Sequence, residues 1–267
     1  MEIWQAVVLG VVQGIGEFLP VSSSGHLAVM QHVFDIDEQG LIFDIVLHIG
    51  TLCAVFAVFW PDIVTLIKNP FQKMTGMLIV GTIPAVAAGL FLRSHMDYLN
   101  QGFYLAIAFI FTGVLLLISD NINAASAKRN EDEITVADAV IVGLMQAAAI
   151  PPGVSRSGAT ITGGLISGLN RKTAARFSFL LSIIAIIGAG TLEGYHVFVA
   201  GEGIYAGDIP AFMIGFVTAA VSGYYSIRLL LKLLDKAKLK YFAYYVFILA
   251  SLILLDNFLL NWFFSRF

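Results

Sequence analysis

Six apolar runs, each approaching the length of a bilayer crossing, dominate this chain of 267 residues: about 45–60, 74–92, 103–119, 177–192, 209–234 and 241–264. A helical crossing needs roughly 20 predominantly apolar residues, so these runs leave little chain for a soluble domain. Only 12% of the residues are charged and 58% are hydrophobic, with a mean hydropathy of +0.87. Soluble domains carry about a quarter charged residues. The balance excludes a soluble enzyme and a disordered chain, and the net charge of −3 offers no basic face to a nucleic acid. The single cysteine, Cys53, cannot form an intramolecular disulfide and reads as inert packing within an apolar run. Met1 to Trp4 lack a basic region and lead into no small-residue cleavage site, so no signal peptide is expected.

Two further stretches, 3–34 and 136–170, are apolar but interrupted by Gly, Pro, Ser and charged residues near their middles. Irregular backbone facing lipid leaves N–H and C=O groups without partners, so such segments must be buried in protein or line a wet cavity. They read as re-entrant helix–loop–helix pairs. Basic residues test this reading through the positive-inside rule. Lys68 and Lys73, Lys128 and Arg129, Arg171, Lys172 and Arg176, and Lys236, Lys238 and Lys240 mark four loops, whereas 93–102 holds only Arg93 and 193–208 holds no Lys or Arg. All four basic loops share the cytoplasmic side only if 136–170 enters and leaves there and 3–34 enters and leaves from outside. Trp60, Tyr195, Tyr205 and Trp262 are candidate interfacial anchors.

An internal repeat supports the same architecture. Gly10-Val11-Val12-Gln13 matches Gly143-Leu144-Met145-Gln146 at an offset of 133, and that offset aligns Val21-Ser22-Ser23-Ser24-Gly25 with Val154-Ser155-Arg156-Ser157-Gly158. Downstream, Gly81-Thr82-Ile83-Pro84-Ala85 matches Gly207-Asp208-Ile209-Pro210-Ala211 at an offset of 126. Each half, about 1–125 and 126–267, then comprises one re-entrant pair and three crossings within a single membrane domain. An odd number of crossings inverts one half relative to the other, and broken helices from both halves meet near the midplane. The expected fold is therefore an all-α integral membrane protein of six transmembrane helices and two re-entrant pairs with inverted topology.

The two interrupted segments carry the candidate chemistry. Gln13 and Glu17 are four apart and share one helical face; a carboxylate at membrane depth costs several kcal/mol unless it faces a cavity, a cation or a partner. Ser22, Ser23, Ser24 and Gly25 precede an apolar segment. They suit an N-cap, and equally an anion site at a helix start. His26 follows, a packing residue or a general acid, base or nucleophile. In the second loop Arg156 stands where the first has Ser23, and a guanidinium in apolar sequence calls for an anion. With Ser155, Ser157, Gly158 and Thr160 around it, the pair of loops points to phosphoryl chemistry on a lipid-borne group. Asp44 and His48, one turn apart, read as a local polar pair held in reserve as site candidates, and His32, His95 and His196 read as packing.

At these residues the chain resembles the undecaprenyl-diphosphatase family of bacitracin-resistance membrane phosphatases. The first family motif, Glu/Gln-x-x-x-Glu, matches Gln13 and Glu17, and the following Leu-Pro-Val-Ser-Ser-x-Gly-His matches Leu19 to His26. The second, Pro-Gly-x-Ser-Arg-Ser-Gly-Ala-Thr, matches Pro152 to Thr160 without a break. The resemblance implies a hydrolase of the bacterial inner membrane, opening to the outer face. Its substrate would be undecaprenyl diphosphate, cleaved to undecaprenyl phosphate and phosphate. That recycles the carrier for peptidoglycan and cell-wall synthesis, hence cell shape, and confers bacitracin resistance. It also implies Glu17, Ser23, His26 and Arg156 as the catalytic set and a divalent cation, Mg²⁺ or Ca²⁺, with Glu17 and Gln13 as its ligands. Gln13 stands where many members have Glu, which leaves one carboxylate fewer for a metal.

From the residues, Ser22, Ser24, Gly25, Ser155, Ser157, Gly158 and Thr160 are expected to bind substrate phosphate beside Arg156. Ser23 is the favoured nucleophile with His26 or Glu17 as base, and His26 as direct nucleophile is the alternative. The expected partners are the polyprenyl diphosphate lipid and the membrane; the sequence also allows a homodimer. A transporter or flippase of polyprenyl phosphates fits the inverted repeats equally well. Type-2 phosphatidic acid phosphatases share Ser-Gly-His and Ser-Arg fragments but need a His where this chain has Thr162, and that reading is rejected.

Overall fold

The computed structural model describes residues 1–36, 40–92, 95–99, 101–122, 128–200, 206–234 and 239–260. Arg93, Tyr205, Lys236, Lys238 and Trp262, named above for orientation or anchoring, lie outside the described residues, as does the expected junction of the halves near 125. The named elements are helices: α1 (Ile3–Phe18), α2 (Ser23–Phe34), α3 (Gly40–Val58), α4 (Trp60–Lys68), α5 (Lys73–Leu92), α6 (Met96–Leu99), α7 (Gly102–Asn121), α8 (Val136–Ala148), α9 (Arg156–Ile166), α10 (Arg171–Ala200), α11 (Ile209–Leu233) and α12 (Lys240–Leu255).

Five of them, α5, α7, α10, α11 and α12, are long and apolar enough to cross a membrane, and α3 with α4 makes a sixth candidate. The apolar run expected over 45–60 ends as a helix at Val58 and turns by 82° into α4. Pro61 sits in the first turn of α4. A proline ring there would clash with a carbonyl of a continuing helix but suits a new helix start. Trp60 is exposed at this bend, and Tyr195 is exposed on α10. Cys53, expected in the packing, instead points outward from α3, because the inward stripe of that helix is taken by Thr51, Ala54 and Val55.

The interrupted segments form the two hairpins. α1 and α2 have 16 and 12 residues, and α8 and α9 have 13 and 11. At about 1.5 Å per residue all four fall short of the roughly 30 Å hydrocarbon core. The repeat is visible in how these helices start. α1 opens with a capping box of Glu2 and Gln5, and α8 with one of Thr135 and Asp138, 133 residues on.

Each hairpin leans on a helix of the other half: α1 packs along α11 and α8 along α5, while α3 pairs with α10 and α7 with α12. The matched glycines of the repeat lie at these crossings. A Cβ on Gly10 would sit 2.6 Å from the Gly215 carbonyl oxygen, and one on Gly143 2.5 Å from the Gly81 carbonyl oxygen. Small residues let helix backbones approach this closely in a bilayer. Gly143→Ala should therefore push α8 off α5 and cost about 1–3 kcal/mol by overpacking. Gly188→Ala, where nothing lies within 4 Å of the added carbon, should leave stability unchanged or raise it. Thermal melting of the two variants in detergent checks the contrast.

The basic residues gather at one end of the bundle and are tied down there. Arg176 bridges Asp62 of α4 and Glu131, Arg129 forms a two-pronged pair with Asp138 at 2.7 and 2.8 Å, and Lys73 Nζ donates to the Asp132 carbonyl at 2.6 Å. Arg129 also donates to the Ser167 carbonyl, closing the base of the α8–α9 hairpin. The opposite end holds the N-terminal ammonium, 3.1 Å from Asp208.

Candidate active site

The two hairpin tips are built alike. α1 ends ahead of Pro20 and α8 ahead of Pro151 and Pro152, since proline disfavours the α conformation in the residue before it. Each tip then starts a new helix with a serine N-cap. Ser22 Oγ accepts from Gly25 N at 3.3 Å and Ser155 Oγ from Gly158 N at 3.1 Å. Another serine stands two residues beyond each cap, Ser24 at 3.4 Å and Ser157 at 3.2 Å. Ser23 and Arg156 thus occupy the same position, the first residue of their helices. The turns differ in one respect: Ser22 has φ 71° and Ser155 φ −74°. A positive φ at a non-glycine residue costs on the order of 1–3 kcal/mol and persists only where surroundings enforce it.

The tips meet. A Cβ on Gly25 would lie 2.8 Å from Gly153 Cα, so the backbones touch where a side chain cannot fit. Ser157 Oγ donates to the Leu19 carbonyl at 3.3 Å, and Thr112 of α7 holds the second tip by donating to Gly153 O at 3.0 Å and accepting from Ser155 N at 2.9 Å.

The Glu17 carboxylate lies at the centre, buried near the last turn of α1. Its Oε1 is ion-paired with the Arg156 guanidinium, which also donates to the Ser182 carbonyl at 3.2 Å. Its Oε2 accepts from Ser23 Oγ at 2.6 Å and from Gln13 Nε2 at 3.2 Å, and His48 Nε2 stands 3.8 Å away. Beside the carboxylate opens a cavity of about 180 Å³, lined by Glu17, Ser22, Ser23, Ser24, His48 and Arg156 with apolar residues of α10. A serine hydroxyl already donating to a carboxylate, next to a guanidinium, is an activated nucleophile arrangement facing an anion-binding group.

Other predicted site residues lie around this centre without lining the cavity. Gly25, Ser155, Ser157 and Gly158 build the caps and the tip-to-tip contact. Thr160 bonds Ser178 Oγ at 2.5 Å and the Arg156 carbonyl at 2.8 Å, bracing the start of α9 from behind. His26 turns away: its ring nitrogens bond the Ser22 carbonyl and the Tyr245 hydroxyl, both at 2.7 Å. Asp44 and His48 are near neighbours but share no hydrogen bond between their side chains. Asp44 accepts from Gln31 at 2.8 Å, and His48 Nδ1 donates to the Asp44 main-chain oxygen at 2.7 Å, so Nε2 faces the cavity. Thr112, Ser182 and Tyr245 carry no signal in the sequence. They sit inside ordinary apolar runs with no local pattern to mark them.

For a divalent cation, Gln13 Oε1 is buried with no hydrogen-bond partner, beside the Glu17 carboxylate. Oxygen donors of this kind hold a hard cation together with substrate phosphates. Among the described residues no group of three His, Cys, Asp or Glu side chains forms a protein-only cage.

Crossing helices, two hairpins meeting tip to tip and a Ser–Glu–Arg cluster with a cavity define a multi-pass membrane protein whose two hairpins share one buried polar site. The chain belongs to the family described as Bacitracin resistance protein BacA, whose model matches residues 6–252. It is 44% identical over 256 residues to the undecaprenyl-diphosphatase of Carboxydothermus hydrogenoformans, covering 95% of this chain and 97% of that protein. It is also 39% identical over 279 residues to the undecaprenyl-diphosphatase of Alkaliphilus metalliredigens, covering 97% of this chain and all of that one. It is 39% identical over 272 residues to the undecaprenyl-diphosphatase of Methanosphaera stadtmanae, covering 92% of this chain and 94% of that protein.

Proposed function

We propose that this protein hydrolyses undecaprenyl diphosphate to undecaprenyl phosphate and inorganic phosphate, recycling the lipid carrier of envelope polymers. The observation that carries the reading is the convergence of Ser23 from one hairpin and Arg156 from the other on the single buried carboxylate of Glu17. Arg156 and the loop hydroxyls bind the diphosphate, whose oxygens compete with Glu17 for the guanidinium. A carboxylate that loses its counter-ion is a stronger base, and Glu17 then takes the Ser23 proton. Ser23 Oγ attacks the terminal phosphorus, the Oγ–P bond forms, and the bridging P–O bond breaks to release undecaprenyl phosphate. Water hydrolyses the phosphoserine, restoring the hydroxyl and releasing phosphate. Where a divalent cation binds, Glu17 and Gln13 Oε1 would instead serve as its ligands, and it would neutralise diphosphate charge.

The gathering of Lys73, Arg129, Arg171 and Arg176 at one end supports placing that end in the cytoplasm. The α1–α2 hairpin then enters from the outer face of the cytoplasmic membrane, and the site opens there. Protein purified in detergent micelles, where no compartments exist, should release phosphate from a polyprenyl diphosphate. Absence of release, with movement of polyprenyl phosphate across proteoliposomes, would overturn the reading in favour of a carrier.

A further inference from the structure

We propose that Tyr245 of α12 is a positioning residue for the reaction at Ser23, acting through His26, whose imidazole braces the first hairpin tip and takes no part in the chemistry. The inference rests on the phosphatase reading above and deepens it.

The hydrogen-bond roles follow from the partners. A carbonyl oxygen only accepts, so His26 Nδ1, 2.7 Å from Ser22 O, carries the proton. In the neutral ring Nε2 is then the lone-pair nitrogen, and the Tyr245 hydroxyl donates to it across 2.7 Å. Both ring nitrogens are committed. The ring is also fixed in plane: it stacks on Tyr245 with centroids 5.6 Å apart and 9° between planes, and its edge meets Phe109 of α7 at 5.3 Å and 90°. The imidazole is therefore clamped between α7 and α12 and is absent from the cavity lining that holds Glu17, Ser23 and Arg156.

What the clamp holds is the Ser22 carbonyl, the main-chain oxygen of the one residue in this tip forced to a positive φ. The peptide after Ser22 leads directly to Ser23, whose Oγ must stay 2.6 Å from Glu17 Oε2. A bond from Tyr245 through His26 to Ser22 O thus sets the aim of the nucleophile from a helix 219 residues away in the chain. Misplacing a reacting group by about an ångström costs up to roughly 100-fold in rate, so a loosened brace should act on kcat and spare substrate affinity.

The test compares Tyr245→Phe, His26→Asn, His26→Ala and the double variant Tyr245→Phe/His26→Asn in the detergent phosphate-release assay, with Arg156→Ala and Ser23→Ala alongside. Asparagine offers an N–H near the place of Nδ1 and nothing at Nε2. The expected results are a fall in kcat of about 3–10-fold for Tyr245→Phe with KM within twofold, and retention of at least about a tenth of the rate by His26→Asn against about 100-fold loss in His26→Ala. The double variant should match His26→Asn, because the hydroxyl acts only through Nε2. A chemical role for His26 would instead leave His26→Asn as inactive as Ser23→Ala, and a nucleophilic role would give the wild type an acid-labile phosphohistidine; either result overturns the proposal. So does a Tyr245→Phe variant with unchanged kcat. Activity surviving in Arg156→Ala and Ser23→Ala would overturn the site reading itself, a separate failure.

Discussion

Arg156→Ala should lower phosphate release by at least about 10³-fold, the scale of removing a charge-stabilising donor or an arginine finger from a phosphoryl-transfer site. The guanidinium is held by Glu17 and by the Ser182 carbonyl and looks into the cavity, where it is the one Lys or Arg side chain among the described residues in the lining. Its removal also strands a buried carboxylate, and breaking a buried pair from one side costs about 3–5 kcal/mol. The activity loss must therefore be read beside a melting curve. Arg156→Lys separates the two effects: it keeps a positive charge near Glu17 and recovers stability, but a single ammonium cannot form the planar fork that grips phosphate oxygens. We expect it to melt near the wild type while releasing phosphate at no more than a few per cent of its rate, a level estimated from the loss of two-pronged contact. Alanine or lysine variants with more than a tenth of wild-type activity would refute the site.

Ser23→Ala should be at least as damaging, by about 10³-fold or more in kcat, because loss of a covalent nucleophile leaves only the catalysis that binding and charge stabilisation supply. The side chain is small and its hydroxyl donates only to Glu17, so the variant should fold and KM should change little. Acid quenching of the wild type during turnover should trap an acid-stable phosphoserine at this position, and the alanine variant none. If Ser23 only orients an attacking water, Ser23→Ala keeps a sizeable fraction of the rate and no phosphoprotein appears in either.

Much of this architecture follows from interactions a few residues long. The crossing helices are written as uninterrupted apolar runs, and the hairpins as runs broken by Pro20, Pro151 and Pro152. The serine caps are i to i+3 bonds that any matching tetrapeptide can form, which is why Ser22–Gly25 and Ser155–Gly158 were legible in both halves. The glycine at the head of the repeat, Gly10 and Gly143, was visible as a pattern. Its purpose, a backbone contact with a helix of the other half, was not.

The directions of side chains at the site belong to tertiary structure alone. Asp44 and His48 looked like partners because they are one turn apart, yet His48 satisfies Nδ1 on the helix carbonyl and turns Nε2 to Glu17. His26 looked like a reacting group because it adjoins the serines, yet it reaches across to Tyr245. Glu17 and Arg156 are separated by 139 residues, and their pairing depends on how two hairpins lean on helices of opposite halves. The sequence determined which residues could form spans, tips and caps, because those depend on periodicity and short-range hydrogen bonds. Only the packed bundle decided which of the polar groups would share one buried pocket, because in an apolar interior each must find a partner wherever the packing brings one within reach.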